Sequence, residues 1–405
     1  MTANDKLIVR ELAKKYMELV CTEKQAKMFE RFRATNDLKQ VRPPVILDEI
    51  PWYQMNMNDE LTLLCEDKGA RNVEFHFRKA IFYLTHFKAD NLYEPFFPVK
   101  RSVDSTGIGI LPQEADLKRT DTTNNIVSRE FIDVLEDESA LELMHDPVFT
   151  LRPDKDAKKM EFYTELLGNS IPINLYGFSY FYYAPWDKIT RLRGVEPILM
   201  DMYDRPEYLN KIIQKYVSAA HAELDFVEKN LFVSPLASLH CTPLAVSGLA
   251  NEGMKATWCR SMAQSFGVVS PAMFKEFEVD YLHSVANRFA YTYYGCCEPL
   301  DDRIGVLKQI SNLRKIGCSP WANVEKCAEQ IGGDYVLARK PNPAHVAIKT
   351  DPEVIRRETE ETVKACIKYG CPYDIVLKDI STVSGRPENL IVWAQTVNNV
   401  LDSYY

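Results

Sequence analysis

Over the first seventy residues the apolar positions fall mainly at helical spacing. Leu7, Ile8, Leu12, Tyr16, Met17 and Val20 form one stripe of an amphipathic helix. Pro43, Pro44 and Pro51 interrupt the pattern within "RPPVILDEIPWYQM", since proline lacks the amide donor that a helix needs. From about 90 to 160 the chain is polar and irregular, with "DSTGIG" and "DTTNN" as turn-rich spans, which predicts an inserted loop or lid. From 170 onward short apolar runs alternate with amphipathic segments. Strands are predicted at 171–178, 288–295, 313–318, 334–341 and 373–379, and helices at 204–230, 270–289, 300–310, 323–332, 351–370 and 386–404. The helix at 204–230 is the clearest. Asp204 can cap it, Pro206 suits its first turn, and Leu209, Ile212, Ile213, Tyr216, Val217, Ala220, Leu224 and Val227 share a face.

Strand–helix alternation repeated this often predicts parallel strands with helical crossovers. The simplest closure is an α/β fold of the TIM-type (β/α)8 barrel kind. The expected division is an N-terminal helical extension over 1–70 and a barrel over 71–405, with the lid at about 90–160. In such a barrel functional groups stand where strands end. Those ends read Tyr176 to Tyr180, Leu239-His240-Cys241, Tyr294 to Glu298, Cys318 to Trp321, Arg339 to Asn342, and Lys378-Asp379.

Composition narrows the partners. A net charge of -8 argues against nucleic acid, which favours a basic face. No apolar run is long enough for a membrane span, and no leader pattern opens the chain. Ten scattered cysteines suit reduced thiols and a cytoplasmic location. Phosphate-loop, dinucleotide, nucleophile-elbow and zinc-protease motifs are absent from the sequence.

The richest chemistry lies in "YYGCCEPLDD" (293–302). Cys296, Cys297 and Glu298 read either as metal ligands or as small buried residues at a strand end, with Glu298 alternatively an acid/base. Zinc takes thiolates and a carboxylate in tetrahedral geometry with an open position. Cys318 is a further candidate ligand, or core filler. His240 is a candidate catalytic group, or a satisfied structural histidine. The run "YGFSYFYYAPW" (176–186) is dense in hydroxyl-bearing rings that need partners when buried, which suggests a pocket wall at Tyr180 and Tyr182. Trp258 and Trp321 are placed to join that wall. Lys340 and Asn342 suit a carboxylate or phosphate, or a loop salt bridge.

Three segments resemble the uroporphyrinogen decarboxylase superfamily, which includes zinc- and corrinoid-dependent methyltransferases. They are "LRGVEPILMDMYDRPEYLNKIIQKYVSAAHAEL", "GVVSPAMFKEFEVDYLHSV" with its SP-x-x-[FY]-x-E-[FY] run, and "SGRPENLIVWAQTV". The resemblance covers roughly 80–405. The arginine-bearing N-terminal run of the true decarboxylases has no counterpart. The methyltransferase branch has His-x-Cys where this chain has Tyr294-Gly295-Cys296, and a third ligand near Asp379. The resemblance therefore implies methyl transfer between a small substrate, with aromatic O-methyl compounds among the candidates, and a corrinoid. It implies Zn2+ as Lewis acid, with the corrinoid on a separate protein because this chain lacks D-x-H-x-x-G. The alternative is a metal-free decarboxylase or lyase using Glu298, Asp379 and Lys340. A homodimer is a further expectation.

Overall fold

Seven short parallel strands carry the molecule in the computed structural model. The structure describes residues 1–115, 129–231, 233 and 253–405, with the backbone alone at 238–239 and 242–243. In chain order the main-sheet strands are β1 (Val45–Leu47), β2 (Phe181–Tyr183), β3 (Trp258–Ser261), β4 (Tyr291–Tyr294), β5 (Leu313–Cys318), β6 (Val336–Arg339) and β7 (Tyr373–Leu377). Their spatial order is β1-β7-β6-β5-β4-β3-β2. The sheet curls into a half-barrel rather than the closed (β/α)8 barrel that the alternation predicts.

The β1 edge supplies a physical reason. In parallel pairing, alternate residues bond to opposite neighbours. Pro44 and Asp48 bond to β7, through Ile375 N to Pro44 O and Asp48 N to Leu377 O, both at 2.9 Å. Val45 and Leu47 face the other way, and Asp90, Tyr83 and Asn91 take their groups. Asp90 accepts from Val45 N at 2.9 Å and its own amide donates to Val45 O at 2.6 Å. Tyr83 Oη accepts from Leu47 N at 3.1 Å, and Asn91 donates to Leu47 O at 3.0 Å. The edge is satisfied before an eighth strand could pair with it.

β1, β2 and β3 escape the sequence reading, and each has a reason. β1 is three residues long between prolines. β2 sits inside the aromatic run. β3 carries Arg260 and Ser261 in place of apolar residues. The run predicted as a strand at 171–178 does form one, Ile173–Tyr176, but it pairs with Phe97–Lys100 outside the main sheet. The first seventy residues contribute β1 to the main sheet. The helix Glu23–Asn36 also presses Met28 and Phe32 onto Ile46 and Val376.

Between 103 and 151 the described residues form two antiparallel pairs, Val103–Ser105 with Phe149–Leu151 and Gln113–Glu114 with Phe131–Ile132. They lie against the helical layer. Val134 N bonds Leu192 O at 2.7 Å, Asp133 pairs with Arg193, and Tyr208 Oη bonds Leu135 O at 2.6 Å.

The outer sheet face is apolar. Val45, Leu47, Phe181, Tyr183, Tyr294, Ile316, Leu337, Ile375 and Leu377 join one core with the helices Pro206–Asn230, Val324–Ile331, Pro352–Lys368 and Glu388–Asp402. The inner face carries the charged groups of the sheet beside apolar residues such as Ile46, Val376 and Trp258. Register places Tyr182, Arg260, Tyr293 and Lys315 in one row across β2 to β5, and Ala338 beside Asp374 across β6 and β7. Lys315 and Asp374 pair at 2.7 Å with both side chains fully buried. No described helix is long and apolar enough to cross a membrane.

Removing one member of a buried pair strands the other charge, which costs about 3–5 kcal/mol, whereas replacing both is often near neutral. Lys315→Met is therefore expected to lower the denaturation midpoint strongly, and Lys315→Met with Asp374→Leu much less. Equal losses in the single and double variants would mean that stranding a charge is not the source of the loss.

Candidate functional site

Gly295 turns the chain at the end of β4. Its φ of +98° lies in the left-handed region that favours glycine. A Cβ on the facing Gly317 would stand 2.9 Å from the Gly295 backbone, so β4 and β5 approach closely. Past this turn Cys296 comes to the inner side and packs with Ala184, Met262 and Cys297.

β1 and β7 deliver the opposing groups. Lys378 follows β7, and its neighbour Asp379 has a φ of +57°. Glu49, after β1, has a φ of +50°. Non-glycine residues in this region store backbone strain, and both face one ammonium. Lys378 Nζ lies 3.2 Å from Cys296 Sγ, 3.5 Å from Cys297 Sγ, 2.8 Å from Asp379 Oδ2 and 3.6 Å from Glu49 Oε2. Cys297 Sγ is 3.7 Å from Cys296 Sγ and 3.1 Å from Asp379 Oδ2. Asp379 N donates to Glu49 Oε2 at 2.9 Å.

The electrostatics divide these groups. The hydrogen bond to Cys296 and then burial push the Cys297 thiol far up, so it keeps its proton. Burial opposes ionisation of Asp379, but the hydrogen bond and charge of Lys378 hold its carboxyl below the ordinary range. Burial pushes Glu49 up to about 7 against the pull of Lys378. A second group of acids lies alongside. Burial raises Glu298 to about 7, Asp187 to about 6 and Glu278 to about 8. Glu298 accepts from Cys296 N at 2.9 Å, while its Oε1 has no hydrogen-bond partner among the described residues.

Glu278 owes its place to a π-helical turn, Lys275–Val279, between Pro271–Phe274 and Asp280–Ala286. It accepts from Tyr294 Oη at 3.1 Å. The periodicity over 270–289 predicts one regular helix there. A π turn often marks a functional position, and the hydrophobic pattern does not announce it.

Of the predicted site residues, Cys296, Cys297, Glu298 and Asp379 come together. Lys340 lies at the same end of the sheet. Its Nζ bonds Tyr293 Oη at 2.7 Å, and no carboxylate lies within ion-pair distance among the described residues. Arg260 stacks over the same Tyr293 ring at 3.9 Å. Trp258 packs on the inner face with Tyr180 and Tyr293. Tyr182 reaches Met262 Sδ at 3.4 Å. The alternate members of the aromatic run, Phe181 and Tyr183, belong to the outer core, as does Trp186, whose Nε1 donates to Phe277 O at 2.9 Å.

The remaining predicted residues go elsewhere. Cys318 sits on the outer face, 3.7 Å from Arg339 and hydrogen-bonded with Cys327, because alternation along β5 turns it away from Cys296. Trp321 is 70% exposed. Asn342 shapes a turn, accepting from Ala344 N at 3.0 Å. His240 lies outside the described residues. The sequence puts Lys378 at a strand end without marking a role for it. Arg260 stays hidden with its strand, and Glu49 carries no local signal.

Zinc fits this arrangement poorly. The sulfur–sulfur distance of 3.7 Å matches a tetrahedral edge, which is about 3.8 Å for two zinc–sulfur bonds. The Lys378 ammonium, however, sits over those same donors. Among the described residues no group of three His, Cys, Asp or Glu side chains is arranged to hold an ion.

No protein-family model matches the sequence, and no curated protein matches it. Among solved structures it is similar to a methyltransferase from Methanosarcina mazei. That likeness has a TM-score of 0.50 at 12% identity, covering 93% of this chain and 99% of that one. At this identity the likeness speaks for the fold alone.

Glu278 yields a pH test. The folded chain holds a proton that the unfolded chain releases between about 4.5 and about 8. The stability from this group is present below the lower value and is lost as pH rises through the upper one. Glu278→Gln is expected to remove a slope of roughly 1 kcal/mol per pH unit over that window. Denaturant midpoints of both proteins across the range check it, and parallel curves would show that Glu278 does not titrate there.

Proposed function

We propose that this chain transfers methyl groups between a small anionic substrate and a corrinoid carried by a separate protein. The observation carrying the reading is the meeting of Cys296, Cys297, Lys378 and Asp379 at the C-terminal mouth of a methyltransferase-like sheet. Functional groups gather at that mouth in α/β folds of this kind.

The inner face supplies the substrate class. Arg260 and Lys340 are buried cations at the same end as the thiols, and buried cations favour an anionic partner such as a carboxylate. With the carboxylate held there, the methyl-bearing heteroatom faces the Cys297 thiol and the Lys378 ammonium. The carbon–heteroatom bond breaks and the methyl passes to the acceptor's electron pair. The heteroatom keeps the bonding pair and takes a proton from Lys378 or Cys297. A positioned proton donor of this kind contributes roughly 10²–10⁴-fold. The reverse transfer uses the same residues.

A second reading, a carboxy-lyase, is favoured by Glu298. It is buried with a pKa of about 7, and one oxygen finds no partner among the described residues. Such a carboxyl can hand a proton to the carbanion left by carbon dioxide.

The deciding assay follows reduced corrinoid to its methylated form with O-, N- and S-methyl donors, each with and without a carboxylate. Carboxylate-bearing donors are expected to react, and Lys340→Met is expected to weaken them about tenfold or more. Carbon dioxide release from an acid substrate, with no corrinoid methylation by any donor, would replace this reading with the lyase.

A further inference from the structure

We infer that the Lys378 ammonium is the cation of this site, standing where a donor set of this type elsewhere takes a metal ion. The inference rests on the methyl-transfer reading for its chemical role, but not for its geometry. Four electron-rich atoms surround Nζ: the sulfurs of Cys296 and Cys297, Asp379 Oδ2 and Glu49 Oε2, at 3.2, 3.5, 2.8 and 3.6 Å. An ammonium has three protons to donate, and here it is offered two sulfurs and two carboxylates.

The surroundings hold it in place. The Lys378 side chain is 3% exposed. Glu49 and Asp379 reach it from two adjacent strand ends, both in left-handed backbone. Strain of this kind persists only where the surrounding structure imposes it. A metal bonded to both sulfurs and to Asp379 would lie roughly 2–3 Å from Nζ, given bond lengths near 2.0–2.3 Å. Two cations at that range in a buried site repel strongly. A metal can enter only if Lys378 leaves or loses its proton.

The substitution changes the chemistry available. A Lewis acid polarises the departing heteroatom and keeps it bound. An ammonium also polarises it, and can then give it a proton. Lys378 is thus the Brønsted counterpart of a metal, carried by the chain.

The test is metal binding by the full-length protein, purified with zinc present and then titrated with Co2+, whose bonds to thiolates absorb in the near ultraviolet. The quantity read is metal that the wild type holds and the Cys296→Ser/Cys297→Ser double variant does not. We expect this difference to be near zero. In Lys378→Met and Lys378→Gln, checked for folding by circular dichroism, it is expected to rise toward about one ion per chain, with apparent affinity at least roughly tenfold tighter than in the wild type. A thiol-dependent ion in the wild type overturns the inference. So does a folded Lys378 variant that gains none. Neither result bears on whether methyl groups move. The corrinoid assay on metal-free and zinc-loaded wild type decides that separately.

Discussion

The molecule depends on keeping charge inside a curled sheet. Lys315 and Asp374 meet at 2.7 Å where neither touches water. Tyr293 stands beside them, its ring under Arg260 and its hydroxyl on Lys340. Burying so many polar groups is tolerable only when they satisfy one another. An apolar interior would fill with side chains. A polar one is braced by fixed partners and keeps its charges aimed at the mouth. The outer face does the opposite work: its aliphatic and aromatic rows pack against the helices and supply the hydrophobic stabilisation.

The two faces explain what the sequence discloses. Four strands, β4 to β7, read correctly because their outer rows and flanking helices give a strong alternating signal. β3 did not, because its inner residue is Arg260 and its last is Ser261. β1 did not, because three residues between prolines carry no period. The half-barrel was not legible either. Closure is refused by Asp90, Asn91 and Tyr83, whose bonds to β1 leave no trace in local patterning.

The site was legible in its sulfurs and acids, which sit together at strand ends as "GCCE" and "KD" announce. Its counter-charge was not. Lys378 looked like any lysine after a strand until Glu49 arrived beside it from residues far away in the chain. Cys318 shows the converse error. A strand-end cysteine invites a role, but one residue of alternation decides which side of the sheet it serves.

The pairing of β1 with β7 also has a consequence for the order of synthesis. The first main-sheet strand, Val45–Leu47, takes its parallel partner from the distant residues 373–377. Until those residues emerge from the ribosome, β1 has one edge dressed by Asp90, Tyr83 and Asn91 and the other bare. Glu49 then waits without Lys378, and Met28 and Phe32 wait without Val376. Pairing across such a separation carries a loop-closure cost and makes folding slow. The mouth therefore stays unassembled from the synthesis of β1 until that of β7, and the thiols acquire their ammonium only once Lys378 has been made.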